Sequence, residues 1–315
     1  MKFLTISDLC ADLVVPIGEL PLRPGKHQPS NQCLFVAGGT SNTLIVAARL
    51  GLDTHAVGAV GDDWLGKMVL QQLCDEDVST NYVQVVPHAT TTLSIELVDS
   101  SAQHVFVGAL GKGTTVELST DLDTILSGVE AVFCTSYALA NHSLFSCSNS
   151  LEILKYAHKC GIPTFFDLGP AAFSIDRDIV EQAINASTVV LTTMEELIGW
   201  TGRSDKIQAT NEILGTGAEI VVIKCGSEGC IIMSSEEEIM LDGFNVTVCD
   251  TAGAGDAFAG AFIFGYLNRY SLAESGTIAN AAGAITVTRV GTGPYVPQRV
   301  EIFDMLESYG VTFGE

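Results

Sequence analysis

The stretch that most constrains the fold of this 315-residue chain is residues 248–267. It reads Val-Cys-Asp-Thr-Ala-Gly-Ala-Gly-Asp, then runs through Ala257, Gly260, Ala261, Phe262 and Gly265 to Leu267 without another charged residue. The pattern predicts the end of a strand at 245–250, a small-residue turn at 251–255 and a buried helix beyond it. N–H groups in the first turn of a helix have no intrahelical partner, and the macrodipole adds about half a positive charge there. With glycine on both sides of Ala254, the amides of Gly253, Ala254 and Gly255 can approach an anion closely. Asp256 then stands beside that anion. Two readings of Asp256 are open: an N-terminal helix cap, or a general base whose ionised form the positive helix end favours. The small residues further along read as close helix packing.

Composition narrows the class. Hydrophobic residues make up 47% and charged residues 17%, as in a globular chain with a large core. Fifteen Lys and Arg stand against 37 Asp and Glu, a net charge of −22, and no basic cluster offsets it, which argues against a nucleic-acid or membrane-surface partner. The charge of an anionic nucleotide would have to be met by Mg²⁺ and local dipoles. Nine cysteines include no C-x-x-C pair, so free thiols in a reducing compartment are expected. Asp8, Asp12 and Glu19 interrupt the first 20 residues, and no apolar run reaches the ~18 residues of a membrane span. A cytoplasmic location is the expectation.

Residues 2–7 read as a short strand with Asp8 and Asp12 at its end, where open α/β sheets border their ligand crevice. Asp8 taken alone reads as a solvated loop acid. Prolines at 16, 21, 24 and 29 suit edge strands and turns over 13–35. Residues 91–98 and 103–107 alternate around the turn signal Asp99-Ser100-Ser101-Ala102, giving a small second β layer. Ala37-Gly38-Gly39-Thr40-Ser41-Asn42 precedes an apolar helix, and residues 54–66 read as strand, turn and helix start capped by Asp62 or Asp63. From 131 onward, strands at 131–135, 163–168, 188–192 and 220–225 alternate with helices around 144–158, 178–186, 195–200 and 206–214. That alternation predicts parallel βαβ units with helices on both faces of the sheet.

The run from Asp250 to Ile263 resembles the second signature of the ribokinase-like (PfkB) carbohydrate and nucleoside kinase family. The resemblance implies an α/β, ribokinase-like three-layer sandwich with a mostly parallel central sheet and a small β-sheet lid. It implies one kinase domain over 1–315, with the lid formed by about 13–36 and 90–110. Carried over by position, Asp256 is the general base and Gly253, Ala254 and Gly255 form the anion hole. Asp12, Gly38, Gly39 and Asn42 bind the substrate hydroxyls. Lys224, Gly226, Gly229, Asn280 and Thr251 lie on the nucleotide side; Glu196 acts on Mg²⁺ through water, and Asp250 holds K⁺. ATP and Mg²⁺, with K⁺ as an activator, are the implied cofactors. A homodimer through the β lid is implied as well.

The chain also departs from the family pattern. The spacing from Gly-Gly to Asn42 is one residue short, and Leu44 takes a small-residue position. Gly169 and Pro170 replace part of a Phe-Asp-Pro-Asn segment, so only Asp167 carries across. Thr193 stands where Asn is usual, and Thr135-Ser136-Tyr137 where a sugar-specific Glu is expected. The function implied is ATP-dependent phosphorylation of a hydroxymethyl group on a sugar, ribokinase- or fructokinase-like. A nucleoside kinase, with Phe106 and Tyr137 beneath the lid, and a noncatalytic nucleotide-binding relative are the alternatives. The intact Gly-Ala-Gly-Asp favours an enzyme, and the absence of G-x-G-x-x-G after the first strand argues against a dinucleotide oxidoreductase.

Overall fold

The computed structural model describes residues 1–140 and 144–311. Its strands, in chain order, are β1 (Lys2–Ile6), β2 (Cys10–Pro16), β3 (Leu34–Gly38), β4 (Asp53–Gly61), β5 (Ser79–Val86), β6 (Leu93–Val98), β7 (His104–Ala109), β8 (Val129–Thr135), β9 (Thr164–Asp167), β10 (Val189–Thr193), β11 (Ile220–Lys224), β12 (Cys230–Ser234) and β13 (Glu238–Leu241). Nine of them make one sheet in the order β13-β12-β11-β10-β9-β8-β1-β4-β5. From β5 to β11 every pairing is parallel, and β12 and β13 close one edge antiparallel.

Successive side chains on a strand point to opposite faces, so a sheet covered on both sides needs apolar residues at consecutive positions. Phe3, Phe133 and Phe165 accordingly join the core on one face, with the helices Ser41–Leu50, Ala254–Leu267 and Leu272–Thr286. Leu4, Val132 and Phe166 join the core on the other face, with Cys147–Lys159, Arg177–Asn185 and Lys206–Thr216. The result is the three-layer sandwich expected from the alternation of strands and helices.

Helix Ala254–Leu267 sits at the centre of its layer, and ten of its residues are buried. A Cβ on Gly260 would lie 2.6 Å from the Thr43 carbonyl oxygen, and one on Gly265 would lie 2.7 Å from Ser275 Oγ. Real Cβ atoms do not come that close, so these glycines set how tightly the three helices pack. The packing explanation of the small residues holds.

The remaining strands form the second sheet, β3-β2-β6-β7, with β2 and β6 parallel and its other pairings antiparallel. Asp99 organises the β6–β7 turn by accepting bonds from the Ser101 and Gln103 amides. Three sequence expectations need correction. Residues 245–250 form no strand: Cys249 and Asp250 donate their amides to the Val287 carbonyl at a helix end, not to a sheet neighbour. Asp12 lies within β2, so the first lid strand begins at Cys10, before the expected boundary. Strands β5, β12 and β13 were not anticipated; β5 and β13 are edge strands with half-exposed residues, and their apolar pattern is correspondingly weak.

Candidate active site

The turn before helix Ala254–Leu267 works through backbone conformation. Gly253, at φ +71°, occupies the N-cap position, and no side chain caps the helix. Left-handed backbone there suits glycine. The first-turn amides therefore have no side-chain acceptor, the condition an anion site requires. Asp256 is the third residue of the helix and not its cap.

Asp256 instead faces a cavity of about 410 Å³ lined by Asp8, Asp12, Gly39, Asn42, Gly253 and Thr292, among others. Asn42 Nδ2 donates to Asp256 Oδ2 at 3.0 Å, and Asn42 Oδ1 accepts from the Gly293 amide at 2.6 Å. Both ends of the amide are thus fixed, and its NH₂ is forced toward the carboxylate. Burial pushes the Asp256 carboxyl up to about 7; the Asn42 bond opposes the rise, and the charges of Asp8 and Asp167 add to it.

Asp12 accepts from Thr292 Oγ1 at 2.7 Å, and burial raises its carboxyl to about 6. Gly38 makes room for it: a Cβ there would fall 2.1 Å from Asp12 Oδ1. Gly38 therefore serves the site through Asp12, while Gly39, at φ +58°, lines the cavity itself. Asp8 is no solvated loop acid. It lines the same cavity, accepts from the Thr40 amide at 3.2 Å, and is raised by burial to about 6. Asp63 is the helix cap of the two acids proposed: it accepts from Gly66 N, and it also holds Thr91, a cavity residue, through two further bonds.

On the far side of the turn, Lys224 Nζ pairs with Asp167 Oδ2 at 2.6 Å. A Cβ on Gly255 would lie 3.4 Å from that ammonium, which puts the lysine beside the 253–255 turn. Burial, the largest single influence, would lower the Lys224 pKa, but the charges of Asp167, Glu196 and Asp256 together with the Asp167 bond outweigh it, and the net shift is upward, so the amine is cationic. Gly226, at φ +58°, and Gly229, at φ +96°, shape the β11–β12 connection. Gly229 and Asn280 both meet the 241–242 backbone: Asn280 Nδ2 donates to the Asp242 carbonyl at 3.2 Å. Glu196 closes a capping box with Thr193, each accepting the other's amide. The Thr found where Asn is usual thus acts as the N-cap of helix Met194–Thr201.

Asp250 is fully buried and accepts from the amides of Ala252 at 3.0 Å and Gly291 at 3.1 Å. Thr251 Oγ1 is 3.2 Å from His104 Nδ1, in the lid. Facing Asp250 from β6 is Glu96, which sequence reading passed over. Burial, and then the Asp250 charge, push its carboxyl up to about 9. Its burial was not legible: Leu93, Ile95 and Leu97 form the apolar phase of the strand, and Ser94 and Glu96 fall on the polar one. Thr292 and Gly293 were also missed as site residues, although Gly291-Thr292-Gly293-Pro294 is a plain turn signal.

Comparison with known proteins gives the family and the fold. The family model described as pfkB family carbohydrate kinase matches residues 2–299. Among curated relatives, the ribokinase of Haemophilus influenzae is 27% identical over 97% of this chain and 99% of its own length. A 5-dehydro-2-deoxygluconokinase of Bacillus thuringiensis is 25% identical over 98% of this chain and 95% of its own. Among solved structures, Arabidopsis thaliana ribokinase complexed with ribose and ATP superposes with a TM-score of 0.79 at 24% identity, covering 97% of this chain and 98% of that one. The chain belongs to the pfkB family of carbohydrate kinases. Its enzyme class is that of ATP-using phosphotransferases with an alcohol acceptor. Among the described residues, no helix is long and apolar enough to cross a membrane.

Proposed function

We propose that this protein transfers the γ-phosphoryl group of ATP to a hydroxymethyl group of an uncharged sugar, with Asp256 as general base. The observation that carries this reading is the setting of Asp256: a carboxylate raised to about 7, oriented by Asn42 and facing the ligand cavity from the first turn of an uncapped helix. A base with a pKa near the working pH balances availability against proton affinity. Asp256 takes the hydroxyl proton while the substrate oxygen bonds to the γ-phosphorus and the bond from phosphorus to the ADP oxygen breaks. The amides of Gly253, Ala254 and Gly255, with Lys224, neutralise charge on the passing group. Asp12, Gly39 and Asn42 hold the substrate hydroxyls, with Gly38 positioning Asp12.

Gly226, Gly229, Asn280 and Thr251 bound the nucleotide side. Glu196, whose charge reaches Lys224, would hold Mg²⁺ through water, and the ion would supply charge neutralisation at the phosphates. Asp250, a buried carboxylate that accepts two backbone amides, is the candidate for K⁺. The lid's outer strand β7, exposed at every position, is the surface offered for a homodimer.

The cavity favours an uncharged acceptor. Three carboxylates, Asp8, Asp12 and Asp256, line it, and among the described residues no Lys, Arg or His does. A sugar acid or sugar phosphate would enter against like charge without a cation to receive it. This separates the chain from its relatives named as gluconokinases. A nucleoside is the second reading, supported by Phe106 and Tyr137, whose rings stand in the cavity wall and could cover a base. ADP release across neutral sugars, sugar acids, sugar phosphates and nucleosides tests the assignment. Turnover restricted to the acids or phosphates refutes it, as does an Asp256→Asn variant that folds and keeps full turnover.

A further inference from the structure

Outside the proton-transfer machinery, three side chains from separate segments converge behind the anion-hole turn. Glu96 comes from β6, His104 from the start of β7 and Asp250 from the approach to the turn, and one donor atom from each lies within 4.8 Å of the others. Asp250 is fully buried, and Glu96 is 1% exposed. The two carboxylates differ in what surrounds them. Each Asp250 oxygen accepts a backbone amide, whereas neither Glu96 oxygen has any hydrogen-bond partner. A carboxylate buried without a donor, beside a second buried carboxylate, needs either a proton or a metal ion between them.

We propose that Glu96, His104 and Asp250 form a divalent-cation site that ties the β lid to the anion-hole turn. Two carboxylates and one imidazole are the donors of a first-row divalent ion such as Mn²⁺, Co²⁺ or Zn²⁺; the nitrogen donor favours such an ion over K⁺, and the two ions would compete for the one Asp250 carboxylate. His104 is exposed and gives the ion a way in, and Thr251 Oγ1 next to its Nδ1 steadies the ring. Two of the three donors belong to the lid, and the third lies three residues before Gly253. Occupancy therefore fixes the lid's inner face relative to the amides that receive the phosphoryl group. This is a site separate from the Mg²⁺ that accompanies a nucleotide, because Glu196, the residue proposed for that ion, is not among its donors.

The test uses the full chain stripped with a chelator, without nucleotide or sugar, so its outcome does not depend on the substrate assignment. Co²⁺ is titrated and followed by its visible absorption, and Zn²⁺ by calorimetry and thermal unfolding. The expected result is one Co²⁺ per chain and a higher melting temperature with Zn²⁺. Glu96→Gln and His104→Ala should each weaken binding at least tenfold. Glu96→Gln keeps the shape of the buried side chain, and His104 is exposed, so both variants should fold; their circular dichroism and chelated melting temperatures check this. No stoichiometric uptake overturns the proposal and leaves a proton shared between Glu96 and Asp250. Uptake that both variants retain, or that K⁺ displaces at equal concentration, overturns it as well.

Discussion

Asp256→Asn should make the protein more stable while abolishing turnover. The Asn42 bond survives the change, since an amide oxygen can accept from Asn42 Nδ2 as the carboxylate Oδ2 does at 3.0 Å. What disappears is a charge the fold resists. Raising a carboxyl from 3.8 to about 7 means that the native state holds a proton that the unfolded chain releases. Between about pH 4 and 7 the native state therefore binds more protons than the unfolded state, and stability falls as pH rises through that window. A shift of about three units, at ~1.4 kcal/mol each, sets a ceiling of about 4 kcal/mol for the cost above pH 7. Water in the cavity reaches the carboxylate and screens part of this, leaving about 2 kcal/mol as the expected gain in the variant. Urea unfolding of both proteins at about pH 5 and pH 8 reads it directly. The difference at about pH 5 should be roughly 40% of its full size, which it reaches at the higher pH, and phosphoryl transfer should fall by at least 10²-fold. A variant no more stable than the parent at pH 8, or a gain independent of pH, would show that Asp256 carries no buried charge and would refute the reasoning.

Two further perturbations separate the halves of the site. Lys224→Met strands Asp167, which is 8% exposed, and should cost about 3–5 kcal/mol in urea unfolding while raising the KM for ATP at least tenfold. Adding Asp167→Asn should restore most of the stability but not the nucleotide affinity; recovery of both would mean that Lys224 serves the fold alone. Gly38→Ala would place a methyl 2.1 Å from Asp12 Oδ1, forcing the carboxylate off Thr292. The KM for the sugar should rise at least tenfold, with the KM for ATP unchanged, in steady-state ADP-release assays.

Much of the layer order was legible because it rests on local pattern. Consecutive apolar residues in the central strands and small residues in helix Ala254–Leu267 follow from burial on both sides, and burial is written into composition. The edge strands β5 and β13 were not legible, since half-exposed strands need no clear apolar phase. The departures from the family pattern also became clear only in three dimensions. Thr193 keeps its helix start by capping it, so its identity reflects a local hydrogen bond as well as any ligand. Gly38 looked like backbone offered to a ligand, yet the group that fills its missing Cβ is Asp12. Asp8 read alone as a solvated acid because nothing in residues 2–9 shows that the Thr40 amide and a cavity wall await it.

The bonds that define the site join residues far apart in the chain: Asn42 to Asp256, Asn42 to Gly293, and Asp12 to Thr292. All three connect the first 42 residues to the last 60, and the segment at 292–293 donates two of them. That segment follows helix Leu272–Thr286, which packs against the helix bearing Asp256. The proposed base Asp256 and the proposed substrate ligands are thus held by one scaffold, and a displacement of the 291–294 turn would disturb Asn42, Asp12 and Asp250 together. Such a turn has little freedom to vary its backbone while both halves of the chemistry are retained. Substrate choice can change more freely at cavity residues outside this network, Ser94, Phe106, Leu110 and Tyr137, which face the substrate without holding the base. The features that identify this chain as a kinase and those proposed to select its acceptor are therefore carried by different residues, so the family's phosphoryl-transfer turn can be kept while the cavity around the acceptor changes.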